Sequence, residues 1–87
     1  MLKTSPSTEI FSRVIEPEQG NFSPDLARFV IDLDFKDKDH DRYEELSIKA
    51  QAGSLLPQET EELDSYLHVD SLLAVMRLKA ERSIKTK

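Results

Sequence analysis

The stretch Pro57–Lys85, PQETEELDSYLHVDSLLAVMRLKAERSIK, decides the fold because it is patterned as one long helix. Apolar residues recur through it at intervals of three and four, the spacing that places side chains on one face of an α-helix. The longest such stripe, called the seam below, consists of Tyr66, Val69, Leu73, Met76 and Ala80. The seam predicts a buried face along most of this helix.

Further apolar residues flank the seam on both sides. Leu63, Leu67 and Ala74 lie to one side of it, and Leu72 and Val75 lie to the other. The apolar face is therefore wider than the band that a surface helix needs. We expect two surfaces to cover it, one of them from a second chain.

The length of this helix supports the same expectation. A continuous helix over the stretch would be about 43 Å long, whereas a compact chain of 87 residues has a diameter of about 30 Å. The helix either breaks, with Val69, Asp70 and Ser71 as the best place, or projects and buries its far end on another chain. We favour the continuous helix and expect a homo-oligomer, with a dimer favoured.

Composition limits the class of protein. The chain has no cysteine, which removes disulfides and thiolate metal sites and agrees with a reducing cytosol. Its net charge of -5 disfavours nucleic-acid binding and adhesion to anionic membranes. No apolar run approaches the roughly 20 residues that span a bilayer, and residues 1–6 lack the apolar core of a signal peptide. We expect a cytoplasmic protein without a membrane partner.

The N-terminal region divides into two parts. Residues 1–8 are polar and rich in Ser and Thr, which predicts a disordered tail before a single small helical domain over residues 9–87. Residues 9–15 contain four apolar side chains, Ile10, Phe11, Val14 and Ile15. Their spacing fits a short helix, and alternation of Phe11 and Ile15 around Arg13 fits a strand almost as well. Because a lone strand would lack a partner, we favour a helix or an extended apolar arm.

A short helix is predicted from Ser23-Pro24-Asp25. These residues supply a capping hydroxyl, a proline at the first helical position and an acid in the first turn. The apolar residues that follow at helical spacing are Leu26, Phe29, Val30 and Leu33. This helix ends in a charged connector over residues 34–39, in which Phe35 is the single apolar anchor.

A second short helix is predicted from a cap at Asp37 or Asp39 to about Gln51. Its inward residues are expected to be Tyr43, Leu46 and Ala50, with Glu45 and Lys49 as an ion pair on the outer face. Gly53 can adopt the left-handed conformation that ends a helix. Leu56 is a poor cap for the long helix, but Glu59 can reach back to its amide as half of a capping box.

The chemistry-bearing residues do not predict an enzyme. The one acidic cluster is Asp32, Asp34, Asp37, Asp39, His40 and Asp41. A calcium loop begun at Asp37 would place Arg42 where glycine is required and Ile48 where an acid belongs, so we interpret the cluster as a solvated linker. His40 and His68 have no partner at zinc-ligand spacing. We expect no catalytic residue, cofactor or metal.

Charge is distributed unevenly along the long helix. Its start is acidic and its end is basic, with Arg77, Lys79, Arg82 and Lys85. This pattern complements the helix dipole, and it would equally suit two helices paired antiparallel across a twofold axis. An alternative function is a small DNA-binding transcriptional regulator. Residues 9–15 followed by two helices match the element order of ribbon-helix-helix repressors, and the basic end of the long helix could contact phosphates.

Several segments carry a resemblance: Leu33-Asp34-Phe35, Arg42-Tyr43-Glu44-Glu45-Leu46, Gly53-Ser54-Leu55-Leu56-Pro57, and Glu61-Glu62-Leu63 followed by Tyr66, Leu72-Leu73 and Lys79-Ala80. In these segments the chain resembles a family of small bacterial proteins of uncharacterised function with a long C-terminal helix. In that family the helix starts with Thr-Pro-Glu-Glu, and Leu56 and Gln58 depart from its Thr and Glu. Genes of the family often neighbour one for an HNH-type nuclease. The resemblance implies a protein partner, such as a nuclease that is held in check or assembled.

These observations predict an all-α protein in which an N-terminal arm and two short helices pack on one long C-terminal helix, as a helical dimer. We expect a non-enzymatic protein–protein interaction module, antitoxin-like or an accessory partner of a nuclease, that works through the seam. The candidate interface residues are Leu63, Tyr66, Leu67, Val69, Leu72, Leu73, Met76, Ala80, Phe11 and Ile15.

Overall fold

The computed structural model describes residues 6–85, which form four α-helices and no strand. The helices are α1, Pro6–Ile15; α2, Pro24–Ile31; α3, Asp37–Gln51; and α4, Pro57–Lys85. This confirms the predicted all-α class with short helices packed on one long C-terminal helix. Within the same residues, no helix combines the length and the apolar character needed to cross a membrane.

The long helix α4 is continuous, as predicted. It runs without interruption through Val69, Asp70 and Ser71. At its start, an oxygen of Glu59 accepts a hydrogen bond from the backbone amide of Leu56 at 3.0 Å, so the expected half of a capping box is present. The molecule measures 48 × 27 × 16 Å, and a helix about 43 Å long accounts for its long dimension.

Helices α2 and α3 lie one after the other along the seam. Ala27 and Val30 of α2 form a buried cluster with Ala80 near the end of α4. Tyr43 of α3 stacks on Tyr66, with ring centroids 5.4 Å apart. The seam is thus covered from both ends by the same chain.

The α2–α3 segment runs antiparallel to α4. The chain meets α4 first at its far end, where the Phe22 amide donates to the hydroxyl of Ser83 at 3.0 Å. It leaves α4 near its start, where Lys49 contacts Glu59 at 2.6 Å. Short connections favour this antiparallel arrangement of neighbouring helices.

Helix α1 packs on another side of α4 and runs in the same direction as α4. Near its start, Thr8 shares a shallow groove with Ser71 and Val75, and at its end the carbonyl of Ile15 contacts Lys79. Residues 9–15 are therefore helical rather than a strand or an extended arm. The helix begins at Pro6, so the predicted disordered tail is wrong for residues 6–8, and residues 1–5 lie outside the described part of the chain.

A buried lysine joins the end of α1 to α4. Lys79 is 5% exposed, and its Nζ donates to the carbonyls of Ile15 at 2.7 Å and Glu16 at 3.3 Å. The same nitrogen lies 5.2 Å from the centre of the Phe22 ring. A cation at the carboxyl end of a helix is favourable because the last carbonyls there lack helical partners. Lys79 therefore provides the hydrogen-bond donor for the carbonyls at the end of α1.

The loop after α1 lies directly on the backbone of α4. A Cβ atom at Gly20 would be 2.6 Å from the carbonyl oxygen of Arg82, so this close approach requires glycine. The hydroxyl of Ser83 accepts from the Phe22 amide and donates to the Lys79 carbonyl at 2.7 Å. The loop is thereby fixed to the last turns of α4.

The buried face of α2 was predicted in part: Val30 is buried and Leu33, just after the helix, packs against the same core. Ser23 caps the helix as expected, accepting from the Leu26 amide. However, Leu26 is 44% exposed and Phe29 is 64% exposed. The buried residues are Ala27 and Val30. Because Ala27 meets Ala80, the two small side chains let the helices approach closely, and this contact turns the larger side chains of α2 outward.

The ends of α3 were predicted only in part. Its N-cap is Lys36, which makes no side-chain cap hydrogen bond, so the expected cap at Asp37 or Asp39 is wrong. Both acids instead occupy the first turn, where they favour the helix through its dipole. At the other end, Gly53 adopts a φ of 71°, and the predicted left-handed glycine is confirmed.

The face of α3 toward α4 also differs from the prediction. Ala50 is exposed, whereas its neighbour Lys49 pairs with Glu59 of α4. The predicted pair between Glu45 and Lys49 is therefore wrong, and Glu45 instead pairs with Arg42 at 3.0 Å. A strong ion pair to α4 outweighs an exposed pair within α3, because exposed pairs contribute little.

We expect Leu46→Ala to lower the free energy of unfolding by about 2–5 kcal/mol, because it would leave a cavity. Leu46 is the largest side chain that is fully buried among the described residues. Ile48 of the same helix is 59% exposed, so Ile48→Ala should change stability by less than about 0.5 kcal/mol. Denaturant unfolding of both variants provides the comparison, and similar losses for the two would contradict this packing.

We expect Lys79→Met to cost about 1–3 kcal/mol, because it leaves the part-buried carbonyls of Ile15 and Glu16 without their donor. Hydrogen exchange should accelerate first at the amides of α1, whose end Lys79 holds. Lys85→Met replaces an exposed base of the same helix and serves as the control. Unchanged protection of α1 in the Lys79 variant would show that its packing does not depend on this contact.

Candidate interaction surface

The most exposed residue of the seam lies where α2 ends and α3 begins. Val69 lies at this junction and is 42% exposed. The depression there, called the junction groove, has a volume of about 460 Å³. Its lining consists of Phe35, Asp39, Glu62, Ser65, Tyr66 and Val69.

Phe35 forms part of the groove lining, and contacts with other aromatic rings hold its side chain in place. It makes edge-to-face contacts with Tyr43 at 5.6 Å, Tyr66 at 5.7 Å and His40 at 6.0 Å between ring centroids. Such pairs stabilise beyond the burial of their area. The connector between α2 and α3 is therefore anchored at its one apolar residue.

A second depression, called the outer groove, lies on the other side of Phe35. It has a volume of about 710 Å³ and is lined by Phe29 and residues 32–38. Phe35 lines both grooves, and each groove has one exposed apolar residue: Phe29 of the outer groove is 64% exposed, and Val69 of the junction groove is 42% exposed. The rest of the outer-groove lining is mainly charged, with Asp32, Asp34, Lys36, Asp37 and Lys38.

Two tyrosines in this region donate to carboxylates. The hydroxyl of Tyr66 donates to Asp39 at 2.7 Å, and that of Tyr43 donates to Asp70 at 3.2 Å. The hydrogen bond to Asp39 raises the pKa of Tyr66. Burial first, and then Asp70, raises the pKa of Tyr43. Both phenols stay protonated at neutral pH and link α3 to α4 as donors.

Below the junction, ion pairs join α3 to the start of α4. Arg42 donates to both oxygens of Glu62, at 2.7 and 2.8 Å, and Lys49 donates to Glu59 at 2.6 Å. The bond from Arg42 lowers the pKa of Glu62, and the bond from Lys49 lowers that of Glu59. Bidentate pairing of this kind fixes orientation as well as charge.

The basic end of α4 is likewise engaged within the chain. Arg77 donates to the carbonyl of Leu33 at 2.8 Å and lies 3.5 Å from Asp34, and Lys79 holds the end of α1. Charged residues of α4 therefore contact α3 at its acidic start, and the end of α1 and the α2–α3 connector nearer its basic end.

His40 and Asp34 form an exposed pair beside Phe35. The His40 Nε2 lies 3.0 Å from an oxygen of Asp34. The hydrogen bond to Asp34 and its charge raise the pKa of His40, and the bond to His40 lowers the pKa of Asp34. The pair spans the connector from its start to the first turn of α3.

The predicted interface residues occupy three different environments. Ala80 is fully buried, and Met76 is half-buried and packs against the same core. Tyr66 and Val69 line the junction groove. The remaining residues are half-buried and lie on α1 or α4: Phe11, Ile15, Leu63, Leu67, Leu72 and Leu73.

Four residues of the junction groove were not among the predicted ones. They are Phe35, Asp39, Glu62 and Ser65. Phe35 had a signal in the sequence, as a lone aromatic residue in a charged connector. The other three had no signal of a groove, because polar residues are common on any solvent-exposed helix face.

Two further hypotheses can be compared with the structure. Within residues 6–85, no group of three or more His, Cys, Asp or Glu residues is arranged to hold a metal ion. The ribbon-helix-helix architecture requires a strand where the structure has α1, so that architecture is wrong for this chain.

Comparison with known proteins gives no relative. No protein-family model, no curated protein and no solved structure matches the chain. The resemblance to the family of small bacterial proteins therefore stays a prediction, and the function has to be inferred from the structure.

We expect the stability of the protein to fall as pH rises through the raised pKa of His40. Protonated His40 is stabilised by Asp34, so its contribution is complete below its ordinary pKa of 6.5 and is lost above the raised value. The contribution of Asp34, whose pKa is lowered, is present above its ordinary value of 3.8 and is lost in stronger acid. His40→Gln should remove the fall on the alkaline side.

Denaturant unfolding between about pH 5.5 and 8.5 measures this effect. The variant His68→Gln, which changes the other histidine of the chain, should retain the fall. A fall that persists in His40→Gln would assign it to another group.

Proposed function

We propose that this protein is a non-enzymatic protein–protein interaction module whose binding surface is the junction groove together with the outer groove. The observation that carries the proposal is the incomplete cover of the seam. The chain buries the seam against α2 and α3 but leaves Val69, Phe35 and Tyr66 accessible at their junction. Contiguous exposed apolar surface with a polar rim is typical of a protein-binding site.

The setting we propose is antitoxin-like or accessory to a nuclease. Its support is the resemblance of residues 33–35, 42–46 and 53–63 to the bacterial family, and the geometry adds nothing to it. Residues 33–35 do form part of the outer groove, so the resemblance and the proposed surface overlap there.

The alternative of a DNA-binding regulator is less well supported. It depended on residues 9–15 as a DNA-reading arm or on the basic end of α4. Residues 9–15 are helical, and Arg77 and Lys79 contact backbone carbonyls of the same chain. A phosphate contact by these side chains would require breaking those hydrogen bonds.

Site-specific photo-crosslinking in cells of the organism that encodes the protein tests the proposal. A benzoylphenylalanine at position 69 should give one discrete protein adduct, because the side chain lies in the groove. The same residue at position 48 serves as a matched control, since Ile48 is an exposed apolar residue of α3 that does not line either groove. Absence of an adduct specific to position 69 would refute the proposed surface.

The mass of the adduct identifies the occupant. A nuclease would support the proposed setting, and another protein would support the module while removing that setting. An adduct of twice the mass of the chain would show that a second copy occupies the groove, which is the predicted homodimer.

A further inference from the structure

We infer that a second copy of this chain packs on α4, antiparallel to it, along a stripe that stays accessible beside the three short helices. The stripe, called the open stripe below, consists of Leu67, Ser71, Ala74 and Leu78. It is separate from the two grooves, so this inference goes beyond the proposed function and does not depend on it.

The core that one chain forms is small for its length. Among residues 6–85, the buried apolar side chains are those of Ala27, Val30, Leu46 and Ala80. Eight large apolar side chains in the same range are 40% exposed or more. Small domains often complete such a core by associating with a second chain. One copy of the chain therefore leaves apolar surface that another copy can bury.

The open stripe lies between two sides of α4 that other helices occupy. At about 100° per residue, its four side chains lie within about 60° of one another around the helix. On one flank, Asp70 accepts from Tyr43 of α3. On the other flank, Lys79 donates to the end of α1. The side of α4 between these two contacts is the one that a second copy would meet.

The open stripe is complementary to itself when it is reversed. Its residues are spaced by four, three and four positions, with a large side chain at each end and two small ones in the middle. A twofold axis between residues 72 and 73 places Leu67 of one copy against Leu78 of the other, and Ser71 against Ala74. A twofold interface requires this kind of self-complementarity. The small central residues allow the helix axes to approach to about 8 Å, the short end of the usual range.

The centre of the open stripe can be buried at low cost. The Ser71 hydroxyl donates to the Leu67 carbonyl at 3.0 Å, so its burial leaves no donor unpaired. Ala74 is exposed and Leu78 is 40% exposed, and the other two residues of the stripe are half-buried. A shallow groove of about 420 Å³ between α1 and α4 has Ala74 in its lining. A second helix therefore has access to the stripe.

The charges that flank the open stripe favour the antiparallel orientation. Asp64 precedes the stripe, and Glu81, Arg82 and Lys85 follow it on the same face, all of them exposed. The start of this face thus carries one negative charge, while its end carries two positive charges and one negative. Antiparallel pairing brings the Asp64 of each copy near the Arg82 of the other, whereas parallel pairing brings like charges together. Because these pairs are exposed, they set the orientation and add little affinity.

The mass of the protein in solution tests the inference. Light scattering should give twice the mass of the 10.0 kDa chain. Ala74→Glu should weaken the dimer by about a hundredfold or more, because it would bury a charge without a partner. Ala50→Glu makes the same change at an exposed position of α3 and should leave the dimer intact. Circular dichroism establishes that both variants are folded before their masses are compared.

Engineered thiols test the orientation. The chain has no cysteine, so the variants Leu67→Cys and Leu78→Cys each carry a single thiol. When the two variants are mixed and oxidised, the disulfide should join position 67 of one copy to position 78 of the other. A parallel pair would instead join each variant to itself, and that result would overturn the antiparallel arrangement.

The remaining outcomes separate this inference from the proposed function. A wild-type monomer at every concentration measured overturns the inference, and so does a dimer that the two alanine variants affect equally. A dimer that Val69→Gln dissociates and Ala74→Glu does not also overturns it, because the second copy then occupies the junction groove. Capture of a different protein at position 69 supports the proposed function whether or not the dimer forms, so the two can fail separately.

Discussion

The structure depends on one constraint: a helix of about 43 Å has to be covered by three helices, each of which is too short to cover it alone. Helix α2 packs on one part of the seam and α3 on another, and α1 packs on a different side of the C-terminal half of α4. Each short helix buries one narrow face, and few of their side chains contact each other. The stability of the protein therefore depends on contacts that every helix makes with α4.

Charged side chains fix α1 and α3 at particular positions along α4. Arg42 and Lys49 fix α3 to the acidic start through Glu62 and Glu59, and Lys79 fixes the end of α1 through backbone carbonyls. These partners are partly or fully removed from water, so their geometry is specific in a way that exposed pairs are not. Apolar contact alone would leave the short helices free to slide along a uniform stripe.

The proposed binding surface results from the same division of the seam. Two helices laid end to end must be joined, and the connector of residues 32–36 carries one large apolar residue, Phe35. Rings from α3 and α4 hold that residue at the junction, where Val69 stays accessible. A groove at the junction of two helices thus follows from the way the core is built.

The sequence by itself determined α2, α3 and the unbroken α4, the capping by Ser23 and Glu59 and the left-handed Gly53, because periodicity and end signals act over a few residues. It left residues 9–15 open between a helix, an extended arm and a strand, and only the structure shows the helix α1. It did not determine which faces meet. Leu26 and Phe29 have the spacing of a core face, yet the contact of Ala27 with Ala80 turns them outward. The width of the apolar face predicted two covering surfaces but did not show which faces of the short helices would supply them, and Glu62 and Ser65 gave no sign that they line a groove. Those outcomes depend on long-range packing of helices against α4, which only the tertiary structure decides.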